Sequence, residues 1–149
     1  MDVATVQVQA PAQKQPIAVA ERKPMEQLSP LKAKVPDPCT NACGYEWGNC
    51  TYGVALWREQ ADMPVGSDWG NASDWLRNAQ ASGVETGNTP QLNAVVWFVP
   101  HDSHGWGHVG LVTALNDNGT FTMREMNSLG LGVTNYRTLP NQGAYSFIY

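Results

Sequence analysis

The sequence predicts an α+β domain, with N-terminal helices packed on an antiparallel β-sheet behind an extended or disordered arm. Three observations predict it. The six Trp, five Tyr and three Phe all lie at or beyond Tyr45, so residues 1–43 hold no aromatic side chain. Between Asn49 and Ala81 the apolar residues recur at helical spacing. Beyond Ala94 they fall in short runs separated by turn residues, which is strand patterning. Helices first and strands after is the α+β order. A chain of 149 residues suits a single core.

The arm comes first. Residues 1–43 carry six of the ten prolines (Pro11, Pro16, Pro24, Pro30, Pro36 and Pro38) and every lysine (Lys14, Lys23, Lys32 and Lys34). A stretch rich in Pro, Ala, Gln and Val without aromatics buries too little surface to offset its ordering entropy. Residues 1–43 therefore read as a flexible or partner-ordered arm, and residues 44–149 as the folded domain. Met1-Asp2-Val3 begins acidic and no apolar core follows, so the arm does not read as a secretory signal. Export then uses another route or a leader outside this chain. The formal net charge is −4, which argues against a nucleic-acid partner. No apolar run approaches the roughly 20 residues that span a bilayer.

The domain elements follow in order. Cys50, Val54, Trp57 and Ala61 share one face of a helix from about Asn49 to Ala61, bounded by Pro64. Ala72, Trp75, Leu76 and Ala79 form the stripe of a second helix, about Ala72 to Ala81, with Asn71 or Ser73 as its cap and Gly83 as its stop. Ala94–Val99 is a short apolar strand ended by Pro100. Val109–Leu115, the turn Asn116-Asp117-Asn118-Gly119 and Thr120–Asn127 read as a hairpin. Val133–Leu139 and Tyr145–Tyr149 complete the sheet.

Three cysteines cannot all pair within one chain. Cys50 opens the first helix, where free N–H groups and the positive dipole end favour a thiolate, the nucleophilic form. The alternative is a small buried hydrophobe. A local disulfide between Cys39 and Cys43 would leave Cys50 free. The spacing Cys-x3-Cys-x6-Cys matches no common zinc finger, and no metal is expected.

The hairpin lines up polar side chains. With an even-length loop centred between Asp117 and Asn118, Leu115 faces Thr120, Gly110 faces Glu125 and His108 faces Asn127. Opposed residues share a sheet face, so His108, Glu125 and Asn127 converge, with Gly110 leaving space beside Glu125. A carboxylate or amide beside an imidazole fixes its tautomer and stabilises its charged form. A helix-borne cysteine with a histidine so oriented is the thiol version of a nucleophile, base and orienter. A structural His–Glu pair on a wet sheet face is the competing reading. His101 and His104 read as solvated loop residues.

Together these segments resemble the CHAP family, the cysteine- and histidine-dependent amidohydrolases/peptidases. The resemblance runs from about residue 45 to the end. It is carried by Tyr45-Glu46-Trp47-Gly48-Asn49-Cys50-Thr51-Tyr52, Trp69-Gly70-Asn71-Ala72 with Trp75, and Thr89-Pro90 leading into Ala94-Val95. Gly107-His108-Val109-Gly110, Glu125-Met126-Asn127 and Tyr145-Ser146-Phe147-Ile148 complete it.

The resemblance implies a papain-like fold and cleavage of an amide bond in bacterial peptidoglycan, in the peptide stem or cross-bridge. It assigns Cys50 as nucleophile, His108 as base, Glu125 as orienter and Asn127 as the further polar position. Asn49, where the family often has Gln, falls at the oxyanion position, and Trp47 and Trp106 flank a substrate groove. Asn93 replaces an expected Gly before Ala94-Val95, a turn that Asn tolerates. Some phage members bind calcium near the cysteine, but only Asp37 and Glu46 lie close upstream here. No cofactor is expected. The implied setting is the cell wall or a virion, with residues 1–43 docking on a virion or secretion assembly. The alternative is a non-catalytic wall-binding or virion structural module on the same fold.

Overall fold

The computed structural model describes residues 41–98, 105–143 and 145–149. Most of the arm, Cys39, His101 and His104 lie outside the described residues. A 3-10 turn at Asn41–Gly44 leads to helix α1, Cys50–Gln60. A second 3-10 turn, Ala72–Asp74, runs into helix α2, Trp75–Ala81. Six strands follow: β1 Thr86–Gly87, β2 Val95–Phe98, β3 His108–Asn116, β4 Thr120–Met126, β5 Thr134–Pro140 and β6 Tyr145–Ile148. They form one antiparallel sheet in the order β1-β6-β2-β3-β4-β5. The predicted α+β class is the observed one. Among the described residues no helix is long and apolar enough to cross a membrane.

The period of two along each strand divides the core between the sheet faces. Val95 and Leu111 turn toward the helices, packing with Val54, Trp57, Trp75 and Ala79 in one cluster that Val109 and Ile148 join. Val96, Val112, Phe121, Met123 and Phe147 turn the other way and form a second cluster with Ala94. By strand parity, His108 and Glu125 belong to this second face. They sit where the sheet's end meets the first turn of α1.

Two cations tie the helical face together. The buried Arg58 guanidinium of α1 donates to the Asn93 carbonyl at 2.6 Å and to the Tyr149 carbonyl at 3.0 Å. Arg124 of β4 lies over the Trp57 ring at 4.1 Å. Asn93 adopts φ 65°, the left-handed turn expected of it.

Three sequence expectations need correction. The second helix opens as a 3-10 turn; Asn71 at its start makes no side-chain cap bond, and Ser73 lies inside that turn rather than at a cap. Strand β1 was not predicted, being only two residues paired to β6. The hairpin loop is odd rather than even: Asn116 pairs with Thr120, leaving three residues with Gly119 at φ 74°. That turn shifts the register by one, so Leu115 faces Phe121. An irregularity between Val112 and Ala114 takes the extra residue back up, so Gly110 still faces Glu125.

Candidate active site

Gly48 at φ 88° and Asn49 in extended backbone deliver the chain to the first residue of α1, Cys50. Cys50 is a free thiol, half-buried, whereas Cys43 is disulfide-bonded. The Asn49 side chain does not cap the helix. Its Oδ1 instead accepts from Asn127 Nδ2 at 3.0 Å, and its Nδ2 reaches toward Glu46 Oε2 at 3.5 Å. The positive end of α1 therefore faces the site without a side-chain cap.

His108 opens β3. Its approach is fixed by the preceding loop, where the Ser73 N–H donates to the Trp106 carbonyl at 2.8 Å. Gly107, at φ 75°, passes so close to the Ser73 backbone that a Cβ there would sit 2.5 Å from the Ser73 nitrogen. Only glycine fits both the backbone angle and the approach. The His108 ring lies 5.6 Å from that of Phe98, its partner across β2.

The imidazole lies between the Cys50 thiol and a carboxylate. His108 Nε2 lies 2.7 Å from Glu125 Oε2, and the ring hydrogen-bonds Cys50. With Nε2 on the carboxylate, Nδ1 is the nitrogen left for the sulfur. Burial alone pulls the imidazolium pKa down. The hydrogen bonds to Cys50 and Glu125, and the negative charge each can carry, outweigh it and raise the value to about 9.

Glu125 is fully buried. Its Oε2 accepts from His108 and from Arg137 Nη2 at 2.8 Å. Its Oε1 accepts from Asn135 Nδ2 at 2.7 Å and from Arg137 Nε at 2.8 Å. Ser128 Oγ donates to Asn135 Oδ1 at 2.8 Å, which fixes the direction of that amide. Burial raises the carboxyl pKa, but these bonds and the Arg137 charge prevail and hold it at about 2. The carboxylate has no acceptor position left for water.

The site opens into a cleft of about 710 Å³ whose lining includes Glu46, Asn49, Cys50, Trp106, His108 and Asn127. The sequence reading placed Asn127 opposite His108. It lies elsewhere: the β3–β4 ladder stops before it, its φ is 69°, and its N–H donates to Val133 O. It reaches Asn49, the residue before Cys50, rather than His108. Trp106 lines the cleft as expected, but Trp47 lies outside that lining, against Gly132. Asn135 and Arg137 were missed. Their alternate spacing sets them on one face of the following strand, but nothing in the sequence sets that strand's register against Glu125. Among the described residues, no three or more His, Cys, Asp or Glu group together as metal ligands would.

Comparison with known proteins places this geometry. The chain is 39% identical over 105 residues to the probable autolysin LDP of Staphylococcus aureus, covering 70% of this chain and 37% of that protein. It is 33% identical over 106 residues to the N-acetylmuramoyl-L-alanine amidase sle1 of Staphylococcus saprophyticus, covering 70% and 32%. It thus spans less than half the length of either relative. The crystal structure of an N-acetylmuramoyl-L-alanine amidase from Staphylococcus aureus superposes with a TM-score of 0.63 at 31% identity, over 70% of this chain and 31% of that one. The CHAP domain model matches residues 40–127, more than half of the sequence, and the chain belongs to the CHAP domain family.

Proposed function

We propose that residues 44–149 form a peptidoglycan hydrolase domain that cuts an amide bond of the wall peptide by cysteine nucleophilic catalysis. The observation that carries this reading is the continuous chain from Cys50 at a helix start, through His108, to a buried and ionised Glu125. The names of the relatives, an autolysin and an N-acetylmuramoyl-L-alanine amidase, support a wall amide as the target and the cell wall as the place of action.

With its pKa near 9, His108 is an imidazolium at neutral pH and stabilises the Cys50 thiolate beside it. The sulfur attacks the substrate carbonyl carbon, and the carbonyl π electrons move to oxygen. The Cys50 N–H at the helix start receives that oxyanion. The tetrahedral species collapses as Nδ1–H protonates the leaving amine, leaving an acyl thioester. Neutral His108 then takes a proton from water, whose oxygen attacks the thioester. Release of the acid restores the thiolate–imidazolium pair. Glu125 keeps its charge throughout, because Arg137, Asn135 and His108 all donate to it.

The test is digestion of purified peptidoglycan by the wild type and by Cys50→Ala, with soluble products analysed by mass spectrometry. Fragments released by the wild type alone, with new ends that name the bond, are expected. Equal release by both proteins would remove Cys50 from the mechanism. No release from walls of several chemotypes would favour a wall-binding module.

A further inference from the structure

We infer that Arg137 is a positioning residue for the base: its two-point grip on Glu125 keeps the His108 imidazole turned toward the Cys50 sulfur. The inference rests on the proposed thiol chemistry and adds to it a residue on β5, outside the segments that carry the family resemblance.

The geometry distinguishes this pair from an ordinary surface ion pair. The Glu125 side chain is 0% exposed and that of Arg137 is 43% exposed, so one partner is wholly inside and the other spans from solvent to core. Nε and Nη2 address different oxygens of the same carboxylate, at 2.8 Å each. That fork fixes the carboxylate plane, which a single ammonium cannot do. The same Oε2 that accepts from Nη2 meets His108 Nε2, so the plane of the carboxylate sets where the ring can lie. The guanidinium also lies over the Phe98 ring, 5.2 Å from its centroid, and Phe98 is the aromatic neighbour of His108. Arg137 thus borders the base through both its carboxylate partner and its ring neighbour.

The charged and titratable groups that face Glu125 are His108 from β3 and Arg137 from β5, with Cys50 of α1 beyond the imidazole. Arg124 on the same strand turns to the opposite face, over Trp57. Within this set Arg137 is the permanent positive charge. Its removal leaves the carboxylate held by one amide and by the ring it is meant to orient.

The experiment is the rate of Cys50 alkylation by iodoacetamide against pH, a readout that needs no wall substrate. It compares the wild type, Arg137→Gln and Arg137→Lys, with His108→Gln setting the floor and circular dichroism checking the fold. The wild-type profile is the reference. Arg137→Gln is expected to lose on the order of tenfold or more of the rate at pH 6–7 and to shift the profile to higher pH. Arg137→Lys restores the charge without the fork and recovers part of the loss.

An unchanged or faster Arg137→Gln profile in a folded protein overturns the inference, as does a wild-type Cys50 no more reactive than free cysteine. If Arg137→Gln fails to fold, the Arg137→Lys profile decides: a wild-type rate overturns the inference and an intermediate one supports it. Rapid wild-type alkylation with the expected Arg137 effects, but no product from peptidoglycan, would sink the proposed substrate and leave this inference standing.

Discussion

The two walls of the site are built on opposite plans. On the sheet side, Glu125 is sealed from solvent and every acceptor position of its carboxylate is filled by His108, Asn135 or Arg137. On the helix side, Cys50 is half-buried beside an open cleft, and the preceding Asn49 is held by a single good bond from Asn127. The difference teaches where rigidity is needed. On the proposed function, His108 as base must hold one orientation, so its partner is over-determined, and Cys50 as nucleophile must meet a large polymer, so its surroundings stay open.

The sharpest way to break this contrast is Glu125→Gln. The amide has nearly the same shape but removes the charge and sets an NH2 against donors that need an acceptor. Activity on peptidoglycan should fall about 10²- to 10⁴-fold, the range for an acid–base group whose orienter is lost. Stability should fall by about 2 kcal/mol, because buried donors lose their partner. Urea unfolding and product release measure the two separately. A stable, active Glu125→Gln would show that the saturated carboxylate is ornament to the chemistry.

The same carboxylate explains how much of the site was legible in the sequence. Counting back from a turn centred between Asp117 and Asn118 sets Glu125 opposite Gly110. That count assumed an even loop and no bulge, and both assumptions failed. The errors cancel because the chain irregularity near Thr113 absorbs the residue that the three-residue loop adds. Asn127 is misplaced in the sequence reading because the symmetry argument carries the ladder two pairs past Gly110–Glu125, where it ends. An Asn followed by Ser128-Leu129-Gly130 takes a left-handed angle and leaves the strand. Asn135 and Arg137 lay beyond reach for another reason. A loop through Gly130 and Gly132 joins β4 to β5, and no tight turn fixes the Glu125–Asn135 register in the sequence. Cys50 was legible because Gly48-Asn49 announces a helix start directly.

Smaller in effect is the pH dependence of stability, which weighs the two walls against each other. His108 has a folded-state pKa of about 9, above its unfolded value near 6.5. Its contribution is complete below about pH 6.5 and is lost as the pH rises through about 9. Glu125 has a folded-state pKa of about 2, below its unfolded value near 4.5. Its contribution is complete above about pH 4.5 and is lost as the pH falls through about 2. Stability should therefore be greatest between about pH 4.5 and 6.5 and decline on both sides, by about 3 kcal/mol at each extreme. The two losses share one hydrogen bond, so they do not add. Melting temperatures across pH 2–10 test this. An alkaline decline undiminished in His108→Gln would assign that limb to another group.

The smallest expected effect compares two tryptophans that the sequence treated alike. Trp106 and Trp47 are both largely exposed, at 62% and 61%. Trp106 lines the cleft together with His108, while Trp47 packs over Gly132 on the β4–β5 loop. The hydrogen bond that anchors the Trp106 segment uses its carbonyl, so Trp106→Ala leaves the approach to His108 in place. An indole facing a cleft offers apolar area to substrate and little to the core. Trp106→Ala should raise KM for a soluble wall fragment about three- to tenfold, with kcat nearly unchanged and stability within about 0.5 kcal/mol. Trp47→Ala should leave KM within about twofold and lower the melting temperature slightly, since it removes a contact that steadies the Gly48–Gly132 bond. If Trp47→Ala raises KM as much as Trp106→Ala does, substrate crosses the β4–β5 loop, and the open wall extends past the cleft as drawn by the free protein.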